Sequence, residues 1–258
     1  MNKLVKILLG IVGVFVLAIV AIFYFTADMV TSADEFFAAV KNKEMNKAYT
    51  YLSEDFQAST SQSDLESYLE KNLIHKFKEA SWESRSINGG RGSLIGSITT
   101  ESGGVVPITL SFVKGENGWK IYSIQKPSSG IQEESSPIAM PSEQEQVQLV
   151  SKSMQIFAES VNEKSMAKFH SHVSNLWQQQ FTIEKFNEAF GGFYDIGVDL
   201  TVLSNYSPQF KVKPSIDENG VLVIAGHYPT EPNQVHFEQK YIYEGLGWKL
   251  MGFSTNIK

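Results

Sequence analysis

The sequence repeats itself, and this internal similarity limits the possible folds more than any other feature. At a spacing of 121 residues, positions of the first half recur in the second half in the same order. Chance supplies a few matches but not an ordered series, so we expect two tandem copies of one structural unit. The matched pairs are Phe36/Phe157, Val40/Val161, Met45/Met166, Lys47/Lys168, Leu52/Val173, Ser53/Ser174, Phe56/Trp177, Ser61/Thr182, Leu65/Phe186 and Leu69/Phe190.

Towards the end of each copy the spacing grows to 129–130 residues. Gly118–Ile121 has the sequence GWKI and Gly247–Leu250 has the sequence GWKL, so both copies close on the same segment. The eight or nine additional residues of the second copy fall between its helical and strand regions. A longer connection there costs little conformational entropy, so one insertion accounts for the change of spacing.

Helical periodicity comes first in each copy. In the first copy, apolar residues at helical spacing begin at Phe36, and Ser63 with Glu66 three residues later predicts the capped start of a helix over Ser63–Leu73. In the second copy, Thr182 predicts the capped start of the corresponding helix over Thr182–Phe193. We therefore expect a helical layer at the beginning of each copy.

Strand periodicity follows in both copies. Apolar side chains alternate with polar ones from Val106 to Phe112, and alternation resumes at Phe210 in the second copy. Helices that precede an antiparallel sheet predict an α+β fold, in which amphipathic helices cover one face of a curved sheet. The further strands expected in the second copy are Val221–Tyr228, Val235–Tyr243 and Trp248–Phe253.

Residues 127–142 have the composition of a linker, because they are rich in proline and serine and poor in large apolar side chains. We therefore expect a first domain over residues 30–126 and a second over residues 143–258. Residues 1–29 are expected to form a cytoplasmic N-terminus and a membrane anchor.

The anchor is predicted from the 21 residues between Ile7 and Ala27, none of which is charged. As a helix this run is roughly 32 Å long, which is enough to cross a hydrocarbon core of roughly 30 Å. Lys3 and Lys6 precede it, so the positive-inside rule predicts a cytoplasmic N-terminus and exported domains. We expect a single-pass protein of the bacterial cytoplasmic membrane that contacts the lipid bilayer through residues 7–27. The alternative is a signal peptide cleaved at the small residues Thr31–Ala33.

The composition also disfavours several kinds of chemistry. The chain has no cysteine, which removes disulfides, thiolate nucleophiles and thiolate metal ligands. A formal net charge of −6 disfavours nucleic acid as a partner, since nucleic-acid binding needs clustered lysines and arginines. We expect no cofactor and no metal site. His170 and His172 are predicted to be exposed on different faces of a helix, whereas His75, His227 and His236 are expected to be isolated.

The order of elements resembles that of the NTF2-like (cystatin/ketosteroid-isomerase-like) superfamily, and in particular small membrane-anchored bacterial domains of unknown function. The resemblance rests on a short helical pair, a third helix after Ser or Thr, and strands that end in Gly-Trp-Lys-aliphatic. It covers about Thr31–Lys126 and Glu143–Lys258. It implies a cone-shaped sheet with a cavity between sheet and helices, but no catalytic residue set of the enzymatic members maps onto this chain.

One strand of the second copy breaks the internal symmetry. Gln239 stands where the first copy has Leu110, and Tyr241 stands where it has Phe112. A buried amide needs hydrogen-bond partners, so Gln239 and Tyr241 are the candidate ligand-binding residues of a hydrated pocket. The alternative is a strand that is shifted or exposed at this point. Trp119 and Trp248, which recur in equivalent strands, are expected to pack in the two cores.

Two functions remain open from the sequence. The first is a non-enzymatic binding or assembly module of the bacterial envelope, with envelope proteins as possible partners. The second is a small-molecule-binding or lyase/isomerase-like protein that uses the cavity of the second domain, with a ligand that the sequence does not identify.

Overall fold

The computed structural model describes residues 24–127, 138–195 and 197–258, which divide into two compact units between Lys126 and Pro127. Each unit consists of helices followed by an antiparallel sheet. The predicted α+β class is therefore confirmed for the described residues.

The first unit carries four described helices and a four-stranded meander in the order β1-β2-β3-β4. A 3₁₀ turn, Ile74–Lys76, leads from the last helix into the sheet. The elements are α1 (residues 24–41), α2 (Met45–Thr50), α3 (Glu54–Ser59), α4 (Gln62–Lys71), β1 (Phe77–Asn88), β2 (Arg91–Thr100), β3 (Val105–Gly115) and β4 (Gly118–Gln125).

The second unit repeats this order, with strands in the order β5-β7-β8-β9 and β6 paired with β7. Two 3₁₀ segments, Gly191–Asp195 and Leu200–Asn205, separate its helices from its sheet. The elements are α5 (Glu143–Asn162), α6 (Ala167–His172), α7 (Asn175–Gln180), α8 (Ile183–Phe190), β5 (Gln209–Phe210), β6 (Ser215–Ile216), β7 (Leu222–Tyr228), β8 (Val235–Glu244) and β9 (Gly247–Ile257).

The helix starts correspond between the units, with one correction to the sequence analysis. Ser61, and not Ser63, caps α4, because the extended backbone at Ser61 lets its Oγ accept the Asp64 N–H at 3.2 Å. Thr182 caps α8 as predicted, through the N–H of Lys185. The helix predicted to reach Phe193 ends earlier, at Phe190, where two glycines of poor helix propensity follow.

The β3–β4 and β8–β9 hairpins have the same register and the same irregularity. In each, one residue of the closing strand is left out of the pairing, Tyr122 in β4 and Met251 in β9, which is a β-bulge. The cross-strand pairs that flank the bulge correspond at a spacing of 129 residues: Leu110/Ile124 with Gln239/Phe253, and Phe112/Ile121 with Tyr241/Leu250.

A parallel bridge connects the helical layer of each unit to the bulged strand. It joins Leu52 to Ile121 in the first unit and Val173 to Leu250 in the second. These are the residues that the sequence spacing pairs with one another. The helices are thereby fixed over the inner face of each sheet, where the two cores lie.

A glycine in the second strand of each main hairpin also corresponds. A Cβ added to Gly96 would lie 1.9 Å from the carbonyl oxygen of Ser81, and one added to Gly226 would lie 2.1 Å from that of Gln209. No side chain fits at such distances, so both positions require glycine for close strand approach.

The strand predicted from Phe210 to Lys213 is wrong beyond its first residue. β5 ends at Phe210, and Val212 is 61% exposed. Pro214 has no backbone N–H with which to continue the ladder, so pairing with β7 resumes only at Ser215.

The predicted membrane-spanning run lies outside the described residues except for residues 24–27, which begin the described part of α1. Within the ranges that the structure describes, no helix has both the length and the apolar character needed to cross a membrane. The predicted linker lies outside them over residues 128–137.

Candidate functional site

Both predicted site residues lie in the core of the second unit. β8 is a central strand between β7 and β9, and its alternation turns Phe237, Gln239 and Tyr241 inward. Gln239 is 0% exposed and Tyr241 is 1% exposed. The alternative of an exposed or shifted strand therefore does not hold at this position.

A chain of polar side chains runs from Gln239 across to the helices. The Tyr241 hydroxyl is within hydrogen-bond distance of Oε1 of Gln239, and it is 3.2 Å from Oγ of Ser153 on α5. Ser153 Oγ is in turn 3.2 Å from Nε2 of His172 on α6. One strand and two helices thus contribute to a single buried cluster, which we call the Gln239 cluster (Ser153, His172, Gln239 and Tyr241).

The protons of the Gln239 cluster can be assigned in one order. A phenol carries a single proton, and the amide Oε1 of Gln239 is an acceptor only, so Tyr241 donates to Gln239. Ser153 then donates to the Tyr241 oxygen, and the Nε2–H of a neutral His172 donates to Ser153. Every hydroxyl in this order has one donor and one acceptor contact.

The amide nitrogen of Gln239 stays unsatisfied in this cluster. Among the described residues, its Nε2 is buried and has no hydrogen-bond acceptor. An unpaired buried donor of this kind costs about 1–3 kcal/mol of folding free energy. The group is therefore the one point of the cluster that a bound acceptor would stabilise.

Ionisation inside the cluster is disfavoured. Burial, reinforced by the positive charges of Lys152 and Lys249, lowers the pKa of His172 from 6.5 to about 4. Burial also raises the pKa of Tyr241 well above its ordinary value. Both groups are neutral near neutral pH, so the cluster works as a hydrogen-bonding array and supplies no strong base.

Two histidine predictions need correction. His172 was expected to be exposed, but it is half-buried because α6 turns it towards Ser153 on α5. His227 and His236 were expected to be isolated, but they face each other on β7 and β8 with ring centroids 5.6 Å apart. In the described part of the chain, no three His, Cys, Asp or Glu side chains form a group that could hold a metal ion.

The first unit shows the same positions filled with hydrocarbon. Leu110 and Phe112 are 0% and 1% exposed and occupy the places of Gln239 and Tyr241. Ser32, which corresponds to Ser153 at a spacing of 121 residues, donates instead to the carbonyl oxygen of Trp119 at 3.0 Å. The polar cluster is thus an addition specific to the second unit.

Sequence reasoning did not find Ser153, His172 or Glu244. Glu244 is fully buried at the end of β8, and its Oε1 accepts the N–H of Asn175 at the start of α7, 3.1 Å away. A signal for Ser153 was present, because it follows Ser32 at the same spacing as the other matched pairs.

An open cleft of about 850 Å³ lies at one end of the first unit. It is bordered by the first described turn of α1, the end of the β1–β2 hairpin and the end of the β3–β4 hairpin. Its lining residues are Tyr24, Phe25, Thr26, Ala27, Asp28, Arg85, Ser86, Ile87, Gly90, Lys114 and Trp119.

The cleft combines exposed aromatic rings with basic groups. Tyr24 and Phe25 are 78% and 67% exposed and make an edge-to-face contact. The Nζ of Lys114 lies 5.8 Å from the ring centroid of Trp119, within cation–π distance. Trp119 is buried, as the core prediction required, but one side of its surroundings opens into this cleft.

Comparison with known proteins gives little beyond the fold. No protein-family model matches the chain, and no curated protein matches it. Among solved structures, the chain is similar to a cystatin-like protein from Ruminococcus gnavus, with 11% sequence identity. The match covers 90% of this chain and 92% of that one, at a TM-score of 0.29.

The lowered pKa of His172 predicts a loss of stability in acid. The unfolded chain takes up a proton near pH 6.5, whereas the folded chain resists it down to about pH 4. The free energy of unfolding should therefore fall as the pH drops through this window, by roughly 3 kcal/mol at most. His172→Gln should flatten this dependence in urea-unfolding titrations, while His170→Gln, on the same helix, should keep it. An equal slope in wild type and His172→Gln would contradict the assignment.

Proposed function

We propose that this chain is a binding module held at the outer face of the bacterial cytoplasmic membrane. Residues 7–27 anchor it, the N-terminus lies in the cytoplasm, and both α+β units stand on the opposite side. Its work is binding or assembly within the envelope and is not catalysis. Envelope components that reach this side are its partners.

The uncharged run and the two lysines before it support the anchor and its orientation. The exposed rings of Tyr24 and Phe25 support it further, because they fall at the end of the run. Aromatic side chains are enriched at membrane–water interfaces, where one part of the ring is in apolar surroundings and the other is hydrated.

The single observation that carries the binding role is the cleft of the first unit. It is open and large enough for a small ligand or a protruding side chain. By contrast, the members of the Gln239 cluster with the lowest exposure, Gln239, Tyr241 and Ser153, are at most 1% exposed, so no substrate reaches them in this conformation.

We also infer that the two units are tandem copies of one NTF2-like domain. The shared bulge, the shared parallel bridge and the shared close-approach glycine support this inference. All three features fall at residues that the sequence spacing already pairs.

The anchor and its orientation predict the outcome of a topology experiment. An alkaline phosphatase fused after Lys258 should be active in cells, because that enzyme folds only outside the cytoplasm. The fusion should also stay with the membranes after a carbonate wash, as expected for a spanning helix. Release of a soluble form that begins near Asp34 would contradict the anchor and favour signal-peptide cleavage.

A second candidate function is supported by the unsatisfied Nε2 of Gln239. A transient opening of the second unit would let a small carboxylate or carbonyl compound accept a hydrogen bond from this amide. Binding of such a ligand is the alternative role of the second unit.

The side-chain amide signal of Gln239 tests this candidate directly by NMR. If the pocket binds acceptors, adding acetate should shift that signal and raise the melting temperature, and Gln239→Leu should abolish the response. The double change Gln239→Leu with Tyr241→Phe copies the Leu110/Phe112 pair and is the folding control, expected to be neutral or stabilising. An unshifted amide signal would leave the cluster a purely structural role.

A further inference from the structure

We propose that the cleft end of the first unit docks on the headgroup layer of the bilayer in which the chain is anchored. This inference rests on the proposed anchor and names the partner of the cleft. The docking surface consists of Tyr24, Phe25, the β1–β2 turn with Ile87 and Asn88, and Lys114.

Chain connectivity brings this surface to the bilayer. The uncharged run ends at Ala27, and residues 24–27 of that run also line the cleft. Two residues later, which is about 3 Å along a helix, the buried side chain of Met29 packs against Gly92 of β2. The sheet thus begins within one helical turn of the end of the run.

The topology of the meander decides which end of the sheet faces the lipid. In an antiparallel meander, the β1–β2 and β3–β4 turns lie at one end, and the β2–β3 turn lies at the other. Ile87 pairs with Gly92 at the end near Met29, whereas Val105 pairs with Thr99, seven residues further along β2. At about 3.3 Å per residue, the two ends are roughly 23 Å apart.

The side chains at the near end suit a headgroup layer. Ile87 is 39% exposed beside the exposed Tyr24 and Phe25, which gives an apolar contact for the acyl boundary. Charges of both signs surround these residues, which matches a layer that carries phosphate and ammonium groups. The cations are Arg85, Arg91 and Lys114, and the carboxylates are Asp28, Asp34 and Glu116.

The absence of cysteine from the chain permits a clean test with single labels. Full-length Ile87→Cys carries a fluorophore and is reconstituted into vesicles of phosphatidylethanolamine and phosphatidylglycerol with a nitroxide-bearing lipid. Val105→Cys, which is 64% exposed at the far end of the same sheet, is the matched control. We expect the lipid nitroxide to quench the label at position 87 several-fold more strongly than the label at position 105.

A label at Tyr24→Cys separates the two levels of the proposal. If position 24 is unquenched, the anchor itself is wrong. If position 24 is quenched but positions 87 and 105 are quenched equally, the anchor stands and the docking is overturned. Asn88→Cys, in the same exposed turn, replaces Ile87→Cys should that variant fail to fold, and the same ranking against position 105 is expected.

Discussion

One serine in each unit holds the helical layer to the sheet. The backbone N–H of Ser53 donates to the carbonyl oxygen of Ile121 at 2.9 Å, and that of Ser174 donates to Leu250 at 2.7 Å. The Oγ of the same serine caps the next helix, by accepting the N–H of Phe56 or of Trp177. Both acceptor carbonyls lie directly before the β-bulge, so strand irregularity, bridge and helix start form one device in each unit.

With the scaffold shared, the differences between the units become the places to look for function. In the second unit, the amide of Gln239 and the phenol of Tyr241 replace hydrocarbon and connect β8 to α5 and α6. Such a network favours one arrangement of the core over others, although its unsatisfied nitrogen costs stability. In the first unit the core is apolar and the open surface lies at the end nearest the predicted anchor.

The sequence was sufficient for the features that depend on repetition and alternation. The spacing of matched residues predicted the bridge partners, and period-two alternation predicted the burial of Gln239. It was insufficient where contacts between distant elements decide the outcome. The partner of Tyr241 lies 88 residues away on a helix, and the meeting of His227 with His236 depends on the register of two strands. The cleft arises where three separate elements end together, which no local pattern encodes.

Amide hydrogen exchange resolved at Ser53 and Ser174 tests the account of the scaffold most directly. Both residues lie between short helices, where an unbonded amide exchanges within the time of ordinary loop motion. Because each donates to a buried strand, we predict that both amides exchange as slowly as those at the centres of β3 and β8. Rapid exchange at these two serines, with the strands protected, would show that the helices are not bonded to the sheet and would contradict the account.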